Sequence, residues 1–172
     1  MELIQEIYEK DLGLQLEGKQ QDIRYKLRRA ARALLFRGDT IAILAAEKLQ
    51  IHKLPGGGID AHESISEGLE REILEETGCK IGNIRELGIT VEQRDSIALL
   101  QFSYVFCADV VDDSGKPSFT EKEAAEGFRL QWMRVSEALD LMKQQDSPVT
   151  YAAKFIHARD LAILEYWLRK NI

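Results

Sequence analysis

The first apolar residues of the chain recur at helical spacing. Leu3, Ile4, Ile7 and Tyr8 fall on one side of a helix, with charged residues between them. The pattern therefore predicts an N-terminal helix over residues 1 to about 20. This helix lies outside the apolar pattern of the rest of the chain, so it is also where we look for a dimer contact.

Beyond this segment, apolar residues follow one another in short runs with strand-like alternation. The pair Gly38-Asp39 separates the first two runs and indicates a hairpin turn. A short third run leads into three consecutive glycines, and more strands follow later. The runs predicted as strands are RRAARALLF, TIAILAAE, LQIHKL, IRELGITVEQR, SIALLQFSYVFCADVV and RLQWMRV.

Two helices are predicted to close the chain. Ser136 can cap the segment EALDLMKQQ, and Ser147 followed by Pro148 can open a helix from Val149 towards Lys170. Helices between and after strands predict an α+β fold with an α/β/α layered arrangement. The 172 residues suffice for one domain with a sizeable core.

A further helix is predicted directly after the glycines, from Ser64 to Thr77. Ser64 and Glu67 have the spacing of a capping box, and Gly78 is placed to end the helix in a left-handed turn. This helix contains the acidic cluster that carries the functional argument.

Two glutamates of this helix share its apolar side. At about 100° per residue, Glu72 and Glu76 point the same way as the apolar residues, and Glu75 lies at the border. Neighbouring carboxylates at partly desolvated positions are costly without a cation, and Arg71 lies on the outer flank. A divalent metal ion would compensate, and oxygen-only ligands favour Mg²⁺ or Mn²⁺ over zinc. The apolar residues in question are Ile65, Leu69 and Ile73.

Composition excludes several other functions. The formal net charge of -6 argues against a basic face for a nucleic-acid polymer. The apolar residues form no long run, and the first ten residues lack the features of a secretion signal. Cys79 and Cys107 are too few for a disulfide framework. We therefore expect a soluble, cytoplasmic protein that binds neither membrane nor nucleic-acid polymer.

The stretch from Gly57 to Cys79 resembles the Nudix box. It has a glycine, five residues, a glutamate, seven residues and then REILEETGC, so every fixed position is filled. The resemblance implies a Nudix-type α/β/α sandwich with a mixed sheet and a long C-terminal helix over residues 28–172, preceded by the helical extension 1–27. It also implies hydrolysis of a nucleoside diphosphate linked to another moiety, with Mg²⁺ or Mn²⁺ as cofactor.

The resemblance also implies roles for individual residues. Glu75 would be a ligand or base, Arg71 would orient the glutamates, and Glu63 would tie the loop to the helix. The implied metal ligands are Gly57, Glu72, Glu75 and Glu76, and the implied catalytic residues are Glu63, Arg71, Glu75, Glu76 and one loop acid. Family members often take that acid from the loop before the last strand, where Glu121, Glu123 and Glu126 qualify; Glu123 is our candidate.

The substrate is less well defined by the sequence. Basic residues on the strands entering the site are candidate phosphate contacts, although each is equally compatible with an ordinary surface charge. The candidate substrate-binding residues are Arg28, Arg32, Lys53, Gly56 and Gly58. We favour a MutT-like nucleoside triphosphate pyrophosphohydrolase over an ADP-ribose or nucleoside-diphosphate-sugar hydrolase. A Nudix-fold sensor that binds a nucleotide without cleaving it is the alternative of another class, and a homodimer is possible.

Overall fold

The computed structural model describes residues 1–14, 22–146, 148 and 150–171. In this part of the chain, seven strands form one mixed sheet that helices cover on both faces. The strands are β1 (Leu3–Tyr8), β2 (Lys26–Arg37), β3 (Thr40–Ala46), β4 (Ile51–Lys53), β5 (Lys80–Arg94), β6 (Leu99–Asp112) and β7 (Phe128–Met133). The helices are α1 (Ile65–Thr77), α2 (Glu121–Glu126), α3 (Val135–Gln144) and α4 (Tyr151–Asn171).

The sheet opens into a V between β2 and β3. Its order is β1-β5-β6-β2-β3-β4, and β7 pairs with the remaining edge of β3. β2 runs parallel to β6 along almost its whole length, but it pairs with β3 only beside the hairpin turn, at Phe36 with Ile41 and Arg37 with Thr40. The predicted hairpin at Gly38-Asp39 is thus confirmed, and the first part of β2 keeps one edge for the glycine loop.

Successive side chains of β2 alternate between two separate apolar cores. One set of its side chains packs under α1 and the other packs under α3 and α4, which is the expected α/β/α arrangement. The α1 side contains Ala31, Ala33, Leu35, Leu69 and Ile73. The opposite side contains Leu34, Val105, Cys107, Val135, Met142, Ile163 and Leu164. The predicted α+β class is confirmed.

The predicted N-terminal helix is wrong. The segment Leu3–Tyr8 is an edge strand that lies parallel to β5, with a register irregularity between Leu3 and Gln5. That irregularity interrupts the alternation, so the apolar residues of a strand acquire helix-like spacing. Gly88 of β5 makes room for β1, since a Cβ there would lie 2.6 Å from Ile4 Cγ1. Residues 15–21 of the expected helix lie outside the described residues.

The other helical predictions vary in accuracy. The box helix has the predicted bounds, with the Ser64 and Glu67 capping box formed. α3 begins at Val135 with Arg134 at the N-cap position, where the Arg134 N–H donates to Glu137, so the prediction that Ser136 caps it is wrong. Ser147 and Val149 lie outside the described residues, and helix α4 begins at Tyr151. None of the described helices is long and apolar enough to cross a membrane.

Candidate active site

The glycine loop, Leu54–Gly58, is fixed at almost every residue. It fills the V of the sheet by pairing with the open edge of β2, and an isolated bridge joins Ala30 to Gly58. Gly56 has φ +126°, and a Cβ there would lie 2.2 Å from the Ala31 carbonyl oxygen, so only glycine fits this position. The backbone bonds are Ala33 N–H to Pro55 O (3.1 Å), Ala31 N–H to Gly57 O (3.0 Å) and Ile59 N–H to Arg29 O (3.0 Å).

Side chains from two helices hold the loop from its other side. Asp160 comes from α4, whereas Glu76 and Arg71 come from α1. Their contacts are Leu54 N–H to Asp160 Oδ2 (2.9 Å), Gly56 N–H to Glu76 Oε2 (2.5 Å) and Arg71 Nη2 to Gly58 O (2.9 Å). The three glycines are therefore held in place, because these contacts set the direction of the Gly56 N–H and of the Gly57 and Gly58 carbonyls.

Glu76 is buried, as its position on the helix predicts. Only 2% of the residue is exposed, and Lys53 Nζ lies 2.7 Å from its Oε1. Burial raises the pKa of Glu76, although the Lys53 charge and the Gly56 N–H act in the opposite direction. Lys53 itself, placed by β4, thus supplies a cation to the most desolvated carboxylate of the site.

Glu72 lies directly against the second glycine of the loop. A Cβ on Gly57 would be 2.0 Å from Glu72 Oε2, so the missing side chain makes room for this carboxylate. Arg71 donates to Glu72 Oε1 at 2.9 Å. Glu75 points outward, with 47% of its side chain exposed, and reaches Arg71 at 3.4 Å. The structure therefore brings Glu72 and Glu76 to the loop and leaves Glu75 outside the cleft.

Arg71 also ties the start of the box to the helix. Its Nε and Nη2 donate to the two oxygens of Glu63, at 2.6 and 2.9 Å. The Arg71 hydrogen bonds and the Asp60 N–H lower the pKa of Glu63 to about 2, and the same pair raises the pKa of Arg71. Neither side chain lines the cleft, so both act by holding other residues.

A cleft of about 610 Å³ opens beside the glycine loop. Arg32 is buried in the wall of this cleft, with 5% of the residue exposed. Its Nε has no hydrogen-bond partner among the described residues. Burial, followed by the charge of Arg159, lowers the pKa of Arg32 to about 10, so it stays a cation at neutral pH. Among the residues that the structure describes, Arg28 bonds only the neutral Gln101 amide. The cleft thus has cationic charge available for an anion.

The loop before β7 contains an unpredicted helix, α2. Glu123 and Glu126 line the cleft, whereas Glu121 does not. Glu123 Oε2 accepts from the Thr120 N–H and hydroxyl, both at 2.9 Å, and so caps its own helix. Glu126 lies 3.9 Å from Lys122. The structure reduces three loop candidates to two.

The sequence analysis missed a buried ionic network under the cleft. Its members come from β5, β6 and α4, and they occupy the sheet face that packs under α4. They are Glu92, Arg94, Gln101, Arg159 and Asp160. The sequence holds one signal, since Glu92 and Arg94 alternate on a strand next to apolar positions. Arg159-Asp160, in contrast, looks like an ordinary charged pair on a helix.

The candidate metal ligands at the loop suit a hard divalent cation. Their ligand atoms are all oxygens, and Glu72 is packed into the space that Gly57 leaves open. Among the described residues, no three histidine, cysteine or acidic side chains already form a metal-binding group. Glu76 holds Lys53 in this arrangement, so a metal ion would compete with the lysine for that carboxylate. The residues fit a metal ion in chemistry and location.

Sequence comparison assigns the family. A sequence model of the NUDIX domain matches residues 26–153. The chain belongs to the NUDIX family. The expectation of a Nudix hydrolase is therefore confirmed, and Nudix hydrolases generally use divalent metal ions and act on small nucleotide substrates. The residue roles implied by the Nudix box remain predictions.

Solved structures of NUDIX proteins share the fold. A NUDIX hydrolase from Nitrosomonas europaea has a TM-score of 0.59 at 20% identity, over 84% of this chain and 90% of that chain. A MutT protein from Bacillus halodurans gives 0.53 at 24% identity, over 76% and 80%. A MutT NUDIX hydrolase from Burkholderia pseudomallei gives 0.53 at 23%, over 77% and 97%. Comparison with curated protein sequences gives no match.

Proposed function

We propose that this NUDIX protein is a nucleoside triphosphate pyrophosphohydrolase that requires Mg²⁺ or Mn²⁺. The observation that carries the proposal is that one cleft combines the glycine loop, two box glutamates and two arginines that lack a carboxylate partner among the described residues. A third phosphate adds negative charge that a sugar-linked diphosphate lacks. The free cationic charge of Arg28 and Arg32 favours the triphosphate for this reason.

The protein's own residues divide the work of hydrolysis. Arg28 and Arg32 bind phosphate oxygens from the cleft wall, and Gly56 and Gly58 border the same space. A metal ion would be held by Glu72 and Glu76 at the cleft. The other two ligands that the Nudix box implies lie differently in the structure, since the Gly57 carbonyl accepts from the Ala31 N–H at 3.0 Å and Glu75 lies outside the cleft. The metal ion would neutralise phosphate charge and lower the pKa of the attacking water.

Proton removal falls to a carboxylate of helix α2 that lines the cleft. Glu123 lines the cleft and is held by its capping bonds to Thr120, which makes it the candidate base. Glu126 lies on the same short helix and is the alternative. Lys53 lies 2.7 Å from Glu76, and its charge favours the ionised carboxylate against the effect of burial, which raises the pKa of Glu76.

An apolar wall of the cleft suits the nucleoside. It is formed where β4, β7 and α4 meet, and its members pack on one another. Phe128 offers an aromatic face at this wall. The residues concerned are Leu49, Ile51, Phe128, Ala153 and Ile156.

The test is a substrate panel with matched variants. Wild-type protein is incubated with nucleoside triphosphates, ADP-ribose and nucleoside-diphosphate sugars in Mg²⁺ or Mn²⁺, and product release is measured. We expect turnover of triphosphates, and a loss of at least about 100-fold in kcat for Glu72→Gln. Glu70→Gln, on the exposed side of the same helix, is the control and should match wild type.

The panel also separates the alternatives. Preferred turnover of ADP-ribose or a nucleotide sugar would contradict the triphosphate assignment and leave the Nudix chemistry intact. Tight nucleotide binding without turnover of any compound would contradict catalysis itself.

A further inference from the structure

The first amide of the glycine loop is held by a helix that lies far along the chain. The Leu54 N–H donates to Asp160 Oδ2 at 2.9 Å, and both residues are fully buried. Two residues further along the loop, Gly56 N–H donates to Glu76 Oε2. Two carboxylates from two helices therefore hold the first two N–H groups of the loop, since Pro55 between them has none.

Asp160 is in turn held rigidly. Arg159 Nε donates to its Oδ1 at 2.7 Å and Arg159 Nη2 donates to its Oδ2 at 3.1 Å. Arg159 Nη1 reaches Glu92 Oε1 on β5 at 3.3 Å. Burial acts to raise the pKa of Glu92, but the charges of Arg159 and Arg94 outweigh it and lower this pKa, so the carboxylate is ionised.

The same network ends at the other side of the loop. Gln101 Nε2 donates to Glu92 at 2.9 Å, and the Gln101 carbonyl accepts from Arg28. A Cβ on Gly58 would lie 3.0 Å from Arg28 Nη2, so this arginine packs on the last glycine. The ionic network thus reaches the loop both at Leu54 and at Gly58.

Stability alone is a poor reason for so much buried charge. Replacing buried ion pairs with packed apolar side chains is often neutral or stabilising. A hydrogen-bond acceptor for the Leu54 N–H, by contrast, has to be held in one orientation, and the contacts of Arg159 with Asp160 and Glu92 do this. Asp160 provides this acceptor at the start of the loop whose Gly56 N–H is held by Glu76 and whose Gly57 packs against Glu72.

We propose that Asp160 is a positioning residue of the Nudix site: from α4 it fixes the start of the glycine loop, and Arg159 with Glu92 fix its carboxylate. The carboxylate acts through the loop and touches no reacting atom. Loss of the acceptor lets the loop move relative to Glu72 and weakens metal binding. Only the expected effect on turnover rests on the proposed function.

The test compares Asp160→Ala with Asp160→Asn. Asparagine can place Oδ1 where Asp160 Oδ2 accepts from Leu54, but its amide cannot accept from Arg159 Nε. It should therefore lower stability while it preserves the loop. Alanine removes both the acceptor for the Leu54 N–H and the contact with Arg159. Ile163→Ala is the control, because Ile163 is fully buried on the same helix and belongs to the core under α3 and α4.

Three readouts are measured on each purified protein: hydrogen exchange of the Leu54 amide by NMR, affinity for Mn²⁺ alone, and kcat with KM. For Asp160→Ala we expect Leu54 exchange and the Mn²⁺ dissociation constant each to rise about 10-fold, the factor that about 1.4 kcal/mol represents. kcat should fall while KM changes little, because Arg28 and Arg32 still hold the phosphates. Asp160→Asn keeps an acceptor for Leu54, so its Mn²⁺ dissociation constant and its kcat should stay within about 3-fold of wild type, and its Leu54 exchange should rise less than that of Asp160→Ala.

Two results would overturn the proposal. One is an equal change in Ile163→Ala, which would reduce the effect to lost stability, and the other is Asp160→Asn behaving like Asp160→Ala. If Asp160→Ala does not fold, the double variant Arg159→Met/Asp160→Leu removes the charges at similar volume and takes its place. The exchange and Mn²⁺ readouts need no substrate, so failure of the proposed function would not be mistaken for failure of this inference.

Discussion

The charged residues of the Nudix box separate into those that meet the cleft and those that hold them. Arg71 contacts Glu63, Glu72 and the Gly58 carbonyl, so one guanidinium joins the loop to the helix. Glu76 is both buried and paired with Lys53. A substitution that removes the Glu76 charge would therefore disturb the glycine loop as well as a metal site. Glu72 is for this reason the better residue to substitute in a functional test.

The pair of Glu63 and Arg71 gives a prediction about pH. The pKa of Glu63 is about 2 in the folded protein against an ordinary 4.5, first because of its Arg71 hydrogen bonds. Since the folded pKa is the lower one, the stabilising contribution is complete above pH 4.5 and is lost as the pH falls from 4.5 towards 2. Arg71→Ala should return the pKa of Glu63 towards 4.5, as measured by NMR titration of its carboxyl.

Glu67 provides the control within the same spectrum. The Ser64 N–H and hydroxyl lower the pKa of Glu67 independently of Arg71, so its titration should not change in the variant. A Glu63 titration that stays near pH 2 in Arg71→Ala would show that the Asp60 N–H alone holds this carboxylate.

At the level of elements, local signals decided what the sequence could predict. Helix α1 was predicted with its correct bounds because its cap, apolar stripe and terminal glycine all lie within one short segment. β1 was misread because its register irregularity gives a strand helical spacing. α2 was not predicted, since its six residues contain only one and a half turns of weak pattern.

The strand assignment predicts unequal roles for two residues that a helix would place on one face. Ile7 is 3% exposed and Leu3 is 53% exposed. Ile7→Ala should lower the free energy of unfolding by about 2–4 kcal/mol, whereas Leu3→Ala should change it by less than about 0.5 kcal/mol. Urea unfolding of both variants measures the difference. Similar losses in the two would contradict the edge strand.

For the whole molecule, the box could be located from sequence but its surroundings could not. The box residues lie within one segment, so their faces follow from helix geometry. Arg32, Arg159 and Asp160 meet only because β2 and α4 pack together across the sheet, and no local pattern encodes that contact. The protein thereby combines a net charge of -6 with a cleft whose wall carries two arginines, Arg28 and Arg32, that have no carboxylate partner in the described part of the chain.

This architecture predicts that metal removal leaves the fold intact while it abolishes turnover. The glycine loop is held by contacts within the chain, including Gly56 N–H to Glu76 and Leu54 N–H to Asp160, so it does not need a metal ion to keep its shape. Mn²⁺ at about 100 times its dissociation constant should raise the free energy of unfolding by about 2.7 kcal/mol over the chelated protein. Urea unfolding with and without Mn²⁺ measures this, and Glu72→Gln should lose most of the increment whereas Glu70→Gln keeps it. An unfolded chelated protein, or full turnover in chelator, would contradict the prediction.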